Sequence, residues 1–185
     1  MPDVKLNLVV AMCNNRGIGI NGQLPWRLRG DMNFFKKITS ETKDPDKKNA
    51  VIMGRKTWFS IPEKFRPLAN RINVVLSREM KDSPDGAHIS RSLEDALSLL
   101  STPPLSDKVE SLFVIGGSAI YEMALKSPQC HRIYLTRVMA DFECDTFLPD
   151  FAQDKFAMVR DPSVSSDMQT EKDINYQFEV YEKVD

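Results

Sequence analysis

No stretch of this chain approaches the roughly 20 consecutive apolar residues that a membrane-spanning helix needs, so no membrane segment is expected. The start, Met1-Pro2-Asp3-Val4-Lys5, lacks a charged segment followed by an apolar block, and no secretion signal is expected either. Charge of one sign is also missing. The formal net charge is −1, so no global field draws the protein to nucleic acid or an anionic membrane, and any anion site must be local. Cysteine is scarce: Cys13, Cys130 and Cys144 are an odd number, far apart, without CxxC spacing, and only His88 and His131 could join them as metal ligands. This argues against a disulfide framework, a zinc site and cysteine catalysis, and suits three reduced thiols in a cytoplasmic protein with no bound metal. Repeats and linkers are absent, so residues 1–185 are expected to form a single domain around one core. With 42% hydrophobic and 28% charged residues, disorder and fibrous architectures are disfavoured.

What is present is a series of short apolar runs that end in polar turns. Leu6 to Met12 runs into Asn14-Asn15-Arg16-Gly17; Asn49 to Met53 precedes Gly54; Arg71 to Leu76 precedes Ser77; Leu112 to Ile115 precedes Gly116-Gly117. Each suits a strand buried on both faces. Between them, Asp31 to Ile38, Thr57 to Ile61, Ser92 to Leu100 and Ala119 to Leu125 have helical character. Ser92 followed by Asp95 resembles a capping box, and Pro103-Pro104 closes that helix. Strands alternating with helices imply an α/β fold with a largely parallel sheet. Arg132 to Leu135 and Tyr176 to Val180 alternate as strands with one wetter face and are expected to add antiparallel edges. Asp161 to Asp167 is rich in turn formers and is expected only to connect.

Ligands of open α/β sheets gather beyond the carboxyl ends of the strands, so the loops after Met12, Met53, Leu76 and Ile115 are the places to search. The first, Gly17 to Trp26, is dense in glycine and contains an Asn21-Gly22 turn; it suits either a surface turn or a cover that bends over a ligand. Helical spacing puts Asp31, Phe34, Phe35 and Ile38 on one side and turns Asn33, Lys36 and Lys37 away. Asp31 is then either an acid serving the helix dipole or a desolvated carboxylate matched to the paired N–H donors of an aminopyrimidine ring. Spacing leaves both open. Gly116-Gly117-Ser118 follows a strand and opens a helix, which suits an anion, although it is not the G-x-G-x-x-G fingerprint. Gly54-Arg55-Lys56-Thr57 and Ser77-Arg78 put cations and hydroxyls at further strand ends, where they suit phosphates or simply face solvent.

Taken together, Gly17-Ile18-Gly19, Leu24-Pro25-Trp26, Val51 to Trp58, Ile115-Gly116-Gly117-Ser118 and Asp145-Thr146-Phe147 resemble dihydrofolate reductases of the eukaryotic type, in order and spacing, from about Leu6 to Lys183. The resemblance implies an eight-stranded, mostly parallel sheet with an antiparallel C-terminal strand and flanking helices. It implies NADPH as cofactor, hydride transfer to pterin C6 with a water-relayed proton to N5, and dihydrofolate and antifolates as small-molecule partners of a monomer supplying tetrahydrofolate for one-carbon metabolism.

Residue by residue, it places Asp31 as the acid that holds the pterin, with Leu24 and Trp26 beside the reaction. Val9, Ala11, Met32, Phe35, Ile61, Leu68, Ile115 and Thr136 match the pocket wall; Lys36, Ser60 and Phe65 lie at its rim; Arg71 matches the partner of the substrate's glutamate carboxylate. Cofactor contacts fall on Ala11, on the cover (Ile18, Gly19, Ile20, Asn21, Gly22, Gln23, Leu24), and on Gly54, Arg55, Lys56 and Thr57. They continue at Leu76, Ser77, Arg78, Glu79 and Arg91, then at Gly116, Gly117, Ser118, Ala119, Ile120, Tyr121, Glu122 and Met123, with a cis peptide at Gly116-Gly117. Arg55, Arg78 and Arg91 favour NADPH over NADH, since the extra phosphate needs cations.

Two departures stand out. Many eukaryotic members have glutamate as the acid, one residue farther from the tryptophan than Asp31 is from Trp26. Met32 replaces a phenylalanine and Phe65 an asparagine of vertebrate relatives, which makes the pocket less aromatic on one side and its rim more apolar. Two rivals are a same-fold reductase of another heterocycle, such as a pyrimidine of flavin synthesis, which the combination of Arg71 with Asp31 opposes, and a catalytically idle NADPH-binding module, which has no need of a buried acid.

Overall fold

A computed structural model describes residues 4–151 and 154–184. Residues 1–3, on which the expectation about the chain start partly rests, and residues 152, 153 and 185 of the expected domain lie outside the described residues. In chain order the elements are β1 (Leu6–Met12), β2 (Gly17–Gly19), α1 (Arg29–Ser40), β3 (Lys48–Gly54), α2 (Arg55–Ser60), β4 (Arg71–Leu76), β5 (Ala87–Ser90), α3 (Leu93–Leu100), β6 (Val109–Val114), α4 (Ser118–Lys126), β7 (Cys130–Val138), β8 (Thr146–Phe147), β9 (Phe156–Val159), β10 (Gln169–Glu171) and β11 (Ile174–Lys183). None of the helices among the described residues is long and apolar enough to cross a membrane.

Alternation inside the apolar runs divides the core between two faces. Leu6, Leu8, Val10 and Met12 of β1, with Ala50 and Ile52 of β3, pack against Leu93, Ala96, Leu97 and Leu100 of α3 and Tyr121 and Ala124 of α4. Val9, Val51, Met53 and Val75 point the other way, toward Trp58 of α2 and the half-buried Phe35 and Ile38 of α1. The sheet order is β10-β11-β7-β1-β6-β3-β4-β5, eight strands, with β9 beside β11 as a ninth. Pairing is parallel from β7 through β1, β6, β3 and β4 to β5. It is antiparallel where β11 meets β7, β9 and β10. The α/β class and the mostly parallel sheet therefore agree with expectation.

One expectation fails: neither the strand containing Arg132 to Leu135 nor the antiparallel strand containing Tyr176 to Val180 is an edge, since β11 lies between β7 and the outer β10 and β9. β7 lies inside the sheet and runs parallel to β1, with Ala11 opposite Thr136. Its wetter face reflects ion pairing with β11, where Arg132 Nε donates to Glu182 Oε1 at 2.9 Å and Arg137 Nε to Glu179 Oε1 at 3.0 Å. Arginine with a carboxylate partner can occupy an interior strand that alternation alone assigns to a solvated edge. The turn after β9 also does more than connect, because Asp161 Oδ2 accepts from Arg132 Nη1 at 3.1 Å.

Helix α3 shows how local rules anchor the fold. Ser92 Oγ accepts from the Asp95 backbone N–H at 3.0 Å and caps the helix, while Leu93, Ala96, Leu97 and Leu100 bury its other side. Ser92→Ala is expected to lower stability by about 1 kcal/mol, read as a lower urea midpoint with an unchanged slope. Since β1, β3, β4 and β6 are parallel, Met12, Gly54, Leu76 and Val114 end at one edge of the sheet, and the loops that follow them meet there.

Candidate active site

Asp31 is the third residue of α1, where an acid usually serves the helix N-terminus. Here another residue has that task. Glu171 of β10 reaches across the fold and accepts from the first two helical N–H groups, Arg29 at 2.7 Å and Gly30 at 3.1 Å. Asp31 turns inward instead, is 8% exposed, and accepts from the hydroxyl of Thr136 on β7 at 2.7 Å. Burial pushes its carboxyl above the usual range; the Thr136 hydroxyl and, more weakly, the Trp26 indole draw it back, and the charge of Glu171 adds a small upward push. Trp26 Nε1 is buried without a direct partner among the described residues.

Within the short spacing between Trp26 and the acid, one residue is constrained by a close approach. Gly30 immediately precedes Asp31, and a Cβ there would lie 2.1 Å from the Tyr176 hydroxyl oxygen of β11. Only glycine lets Tyr176 close over the start of α1. One turn on, Phe34 stacks on Phe178 with ring centroids 4.1 Å apart. These contacts fix the rotation of α1 and hold Asp31 toward β7.

The glycine-dense segment is a hairpin with a rigid root. Gly17–Gly19 pairs with Thr146–Phe147 as a two-stranded antiparallel ribbon, and Asn21-Gly22, with φ of 51° and 76°, makes a tight hairpin in which Ile20 and Gln23 exchange backbone hydrogen bonds at 2.8 and 3.0 Å. Asp145 latches it: its Oδ2 accepts from Asn21 N–H at 2.9 Å, and its own N–H donates to Gly19 O at 3.0 Å. The Asn21 N–H also holds the Asp145 carboxyl below its ordinary value. Leu24 at the end of the hairpin is 50% exposed.

At the next strand ends the Gly116-Gly117 peptide is cis, as the resemblance implies, and Gly116 has φ of +134°. A Cβ on Gly116 would lie 3.2 Å from Thr57 Oγ1, so glycine brings this stretch of main chain against the start of α2. Arg55, Lys56 and Arg78 are exposed, and no carboxylate pairs with them among the described residues. Arg91 Nη1 donates to the carbonyls of Ser77, at 2.9 Å, and Met80, bracing that turn, while Ser77 Oγ accepts from the Glu79 and Met80 N–H groups. Tyr121 is buried and gives its hydroxyl proton to Val9 O at 2.8 Å.

Arg71 opens β4. Its Nε donates to Ala69 O at 2.9 Å and its Nη1 to Thr39 Oγ1 at 2.9 Å, and burial works against its charged form. No acid pairs with it among the described residues, so a half-buried cation is left with donors to spare.

The expected wall residues divide into two apolar groups that flank Asp31. Val9, Phe35, Ile61, Leu68 and Ile115 share one cluster; Ala11 and Trp26 share another. Met32 and Phe65, 58% and 59% exposed, stand at the rim. Lys36 and Ser60 are exposed, and the Ser60 hydroxyl donates to Thr57 O at 2.6 Å. Ala119, Glu122 and Met123 lie on the outer side of α4, where Glu122 pairs with Lys126 at 3.3 Å. A recess of about 970 Å³, lined by Asn7, Lys37, Glu41 and Arg132 among others, contains none of the expected residues. Glu171 and Thr39 were not singled out from sequence, and Asp145 entered only as part of a motif, without a role. Each acts on a segment 32 to 142 residues away, and no local pattern announces that.

A family model described as Dihydrofolate reductase matches residues 5–183. A dihydrofolate reductase of Gallus gallus is 50% identical over 181 residues, spanning 96% of this chain and 96% of the relative; one of Sus scrofa is 51% identical over 181 residues, spanning 96% and 97%. A solved structure of Schistosoma mansoni dihydrofolate reductase is similar with a TM-score of 0.88 at 41% identity, covering 98% of this chain and 99% of that one. With about half of all positions shared over nearly the full length of both chains, this chain belongs to the dihydrofolate reductase family.

Proposed function

We propose that the chain reduces 7,8-dihydrofolate to 5,6,7,8-tetrahydrofolate with NADPH, and that Asp31 anchors the pterin ring. The carrying observation is the position of Asp31: relieved of helix capping by Glu171 and held on Oδ1 by Thr136, its carboxylate keeps Oδ2 for a ligand. A planar ring presenting an amino group beside a ring N–H satisfies a buried carboxylate whose only direct partner among the described residues is the Thr136 hydroxyl.

The residues present fit the cofactor. Gly116 keeps main chain open against Thr57, and Arg55, Lys56 and Arg78 offer unpaired cations of the kind an additional phosphate requires. Arg91 braces the Ser77 turn beneath them. NADPH, when bound, supplies the hydride that reaches pterin C6. Asp31 orients the pterin and favours positive charge on it, while a water relays the proton to N5. The hairpin held by Asp145 keeps bulk solvent away and opens for exchange. Val9, Phe35, Ile61, Leu68 and Ile115 give the ring system an apolar wall, and Arg71 takes the glutamate carboxylate.

The compartment and assembly belong to the same proposal: three free thiols suit the cytoplasm, and the chain acts as a single-domain monomer. Following the loss of reduced-nicotinamide absorbance on mixing the protein with dihydrofolate and NADPH tests the activity. Turnover within about 1–10³ s⁻¹ is expected. Tight NADPH binding with no turnover would instead identify an idle cofactor-binding module, and turnover only with another heterocycle would identify a same-fold reductase of that substrate.

A further inference from the structure

Cys13 and Cys144, 131 positions apart in the chain, have their sulfurs 3.7 Å apart. Their places are not arbitrary. Cys13 directly follows β1, where the chain turns toward the cover, and Cys144 stands just before Asp145 and β8, which hold the cover down. Gly17, the first residue of β2, lies between these roots: its carbonyl accepts from the Cys13 N–H at 3.0 Å, and a Cβ on it would lie 2.2 Å from Cys144 Sγ. Asn15 Oδ1 accepts from both the Cys13 thiol and the Gly17 N–H, each at 3.2 Å. Cys13 is 1% exposed, whereas Cys144 is partly exposed and offers the side of attack. Cys130, buried at the start of β7, has no such neighbour among the described residues.

We propose that Cys13 and Cys144 form a reversible disulfide by exchange with a low-molecular-weight disulfide, and that this link stiffens the root of the active-site cover and slows turnover. In the first step the Cys144 thiol loses its proton to solvent. Its thiolate attacks one sulfur of the small disulfide, whose S–S bond breaks, and one small thiolate leaves and takes up a proton. In the second step the Cys13 thiol loses its proton, and its thiolate attacks the Cys144 sulfur of the mixed disulfide, expelling the second small thiol. Two cysteines lose two electrons and two protons, and the small disulfide gains them. Closing 3.7 Å to a bond of about 2.05 Å needs a sulfur displacement within reach of a side-chain rotation.

The link would join the strand that leads into β2 to the segment that leads into β8. The ribbon and the Asn21–Asp145 hydrogen bond already tie these segments non-covalently. A covalent bond between their roots adds to these ties and resists any opening that parts the two. Asp31, Thr136 and Arg71 are untouched, so binding geometry is preserved while exchange slows. The bond is read by mass alone; its effect on rate rests on the proposed reductase activity.

The test incubates the full-length protein with glutathione disulfide at mildly alkaline pH, followed by intact mass measurement, peptide mapping and assay. Expected are the loss of two hydrogens, a Cys13–Cys144 linked peptide, a several-fold fall in kcat, and full recovery with dithiothreitol. Cys13→Ser and Cys144→Ser should keep activity in reducing buffer; under the treatment Cys144→Ser should be insensitive and Cys13→Ser should stop at a glutathione adduct on Cys144, whereas Cys130→Ser should still cross-link. A stable glutathione adduct on Cys144 without the link, or no reaction at either residue, overturns the site. A complete link with unchanged kcat overturns the control of the cover. Loss of activity in Cys144→Ser under the same treatment overturns both.

Discussion

Asp31→Asn is expected to retain NADPH binding while lowering dihydrofolate turnover about 10²- to 10⁴-fold at neutral pH, the range lost with a group that supports proton transfer. The deficit should shrink as pH falls, because substrate that arrives already protonated no longer needs the carboxylate's charge to favour that form. Steady-state rates across pH, with cofactor affinity measured separately by fluorescence, give the answer. A rate unchanged at every pH removes Asp31 from the mechanism; parallel loss of NADPH affinity would indicate structural damage instead.

The same substitution has a second, opposite consequence. Burial raises the Asp31 carboxyl above its ordinary value, so the folded state binds this proton more tightly than the unfolded chain does. The sign follows directly: the cost of burying the ionised form is absent below the unfolded value and grows as pH rises through the folded one. Ligand-free Asp31→Asn should therefore exceed the parent in stability by about 0.5–2 kcal/mol at neutral pH, with the gap closing toward about pH 4. Urea denaturation at both pH values measures it. Equal stability at neutral pH would mean that the ionised carboxylate is fully compensated in the absence of ligand.

Arg71→Ala carries the other large effect. Removing one partner of a desolvated charge pair costs about 2–4 kcal/mol, so KM for dihydrofolate should rise roughly 30- to 1000-fold. A pterin without the glutamate tail should be nearly unaffected, because it never meets this cation. Two of the Arg71 donors are already engaged by Ala69 O and Thr39 Oγ1, which fixes the guanidinium and leaves the remaining edge for a carboxylate. Equal effects on both substrates would assign Arg71 to holding β4 rather than to binding the tail.

The strands and helices that were legible each obey a local rule. Continuous apolar runs in β1, β3, β4 and β6 mark strands covered on both faces, and Ser92 with the leucines behind it marks α3. Alternation misled at β7, because Arg132 and Arg137 have carboxylate partners on β11, a strand more than 40 residues later. The short strands β2 and β8 were invisible for a related reason: three and two residues pair only because the chain brings them together, and the glycines of β2 read as loop.

By itself the sequence determined the central strands and helices, the parallel core and the motifs that mark the family, since periodicity and turn chemistry act over a few residues. It left Asp31 divided between capping a helix and facing a pocket. Tertiary structure decided that question through Glu171, which reaches the first N–H groups of α1 from β10, and through Thr136 on β7, which turns Asp31 inward. The same holds for the two sulfurs at the root of the cover. The competition for a helix end, the desolvation of an acid and the meeting of two thiols all depend on distances through space, and a linear pattern carries none of them.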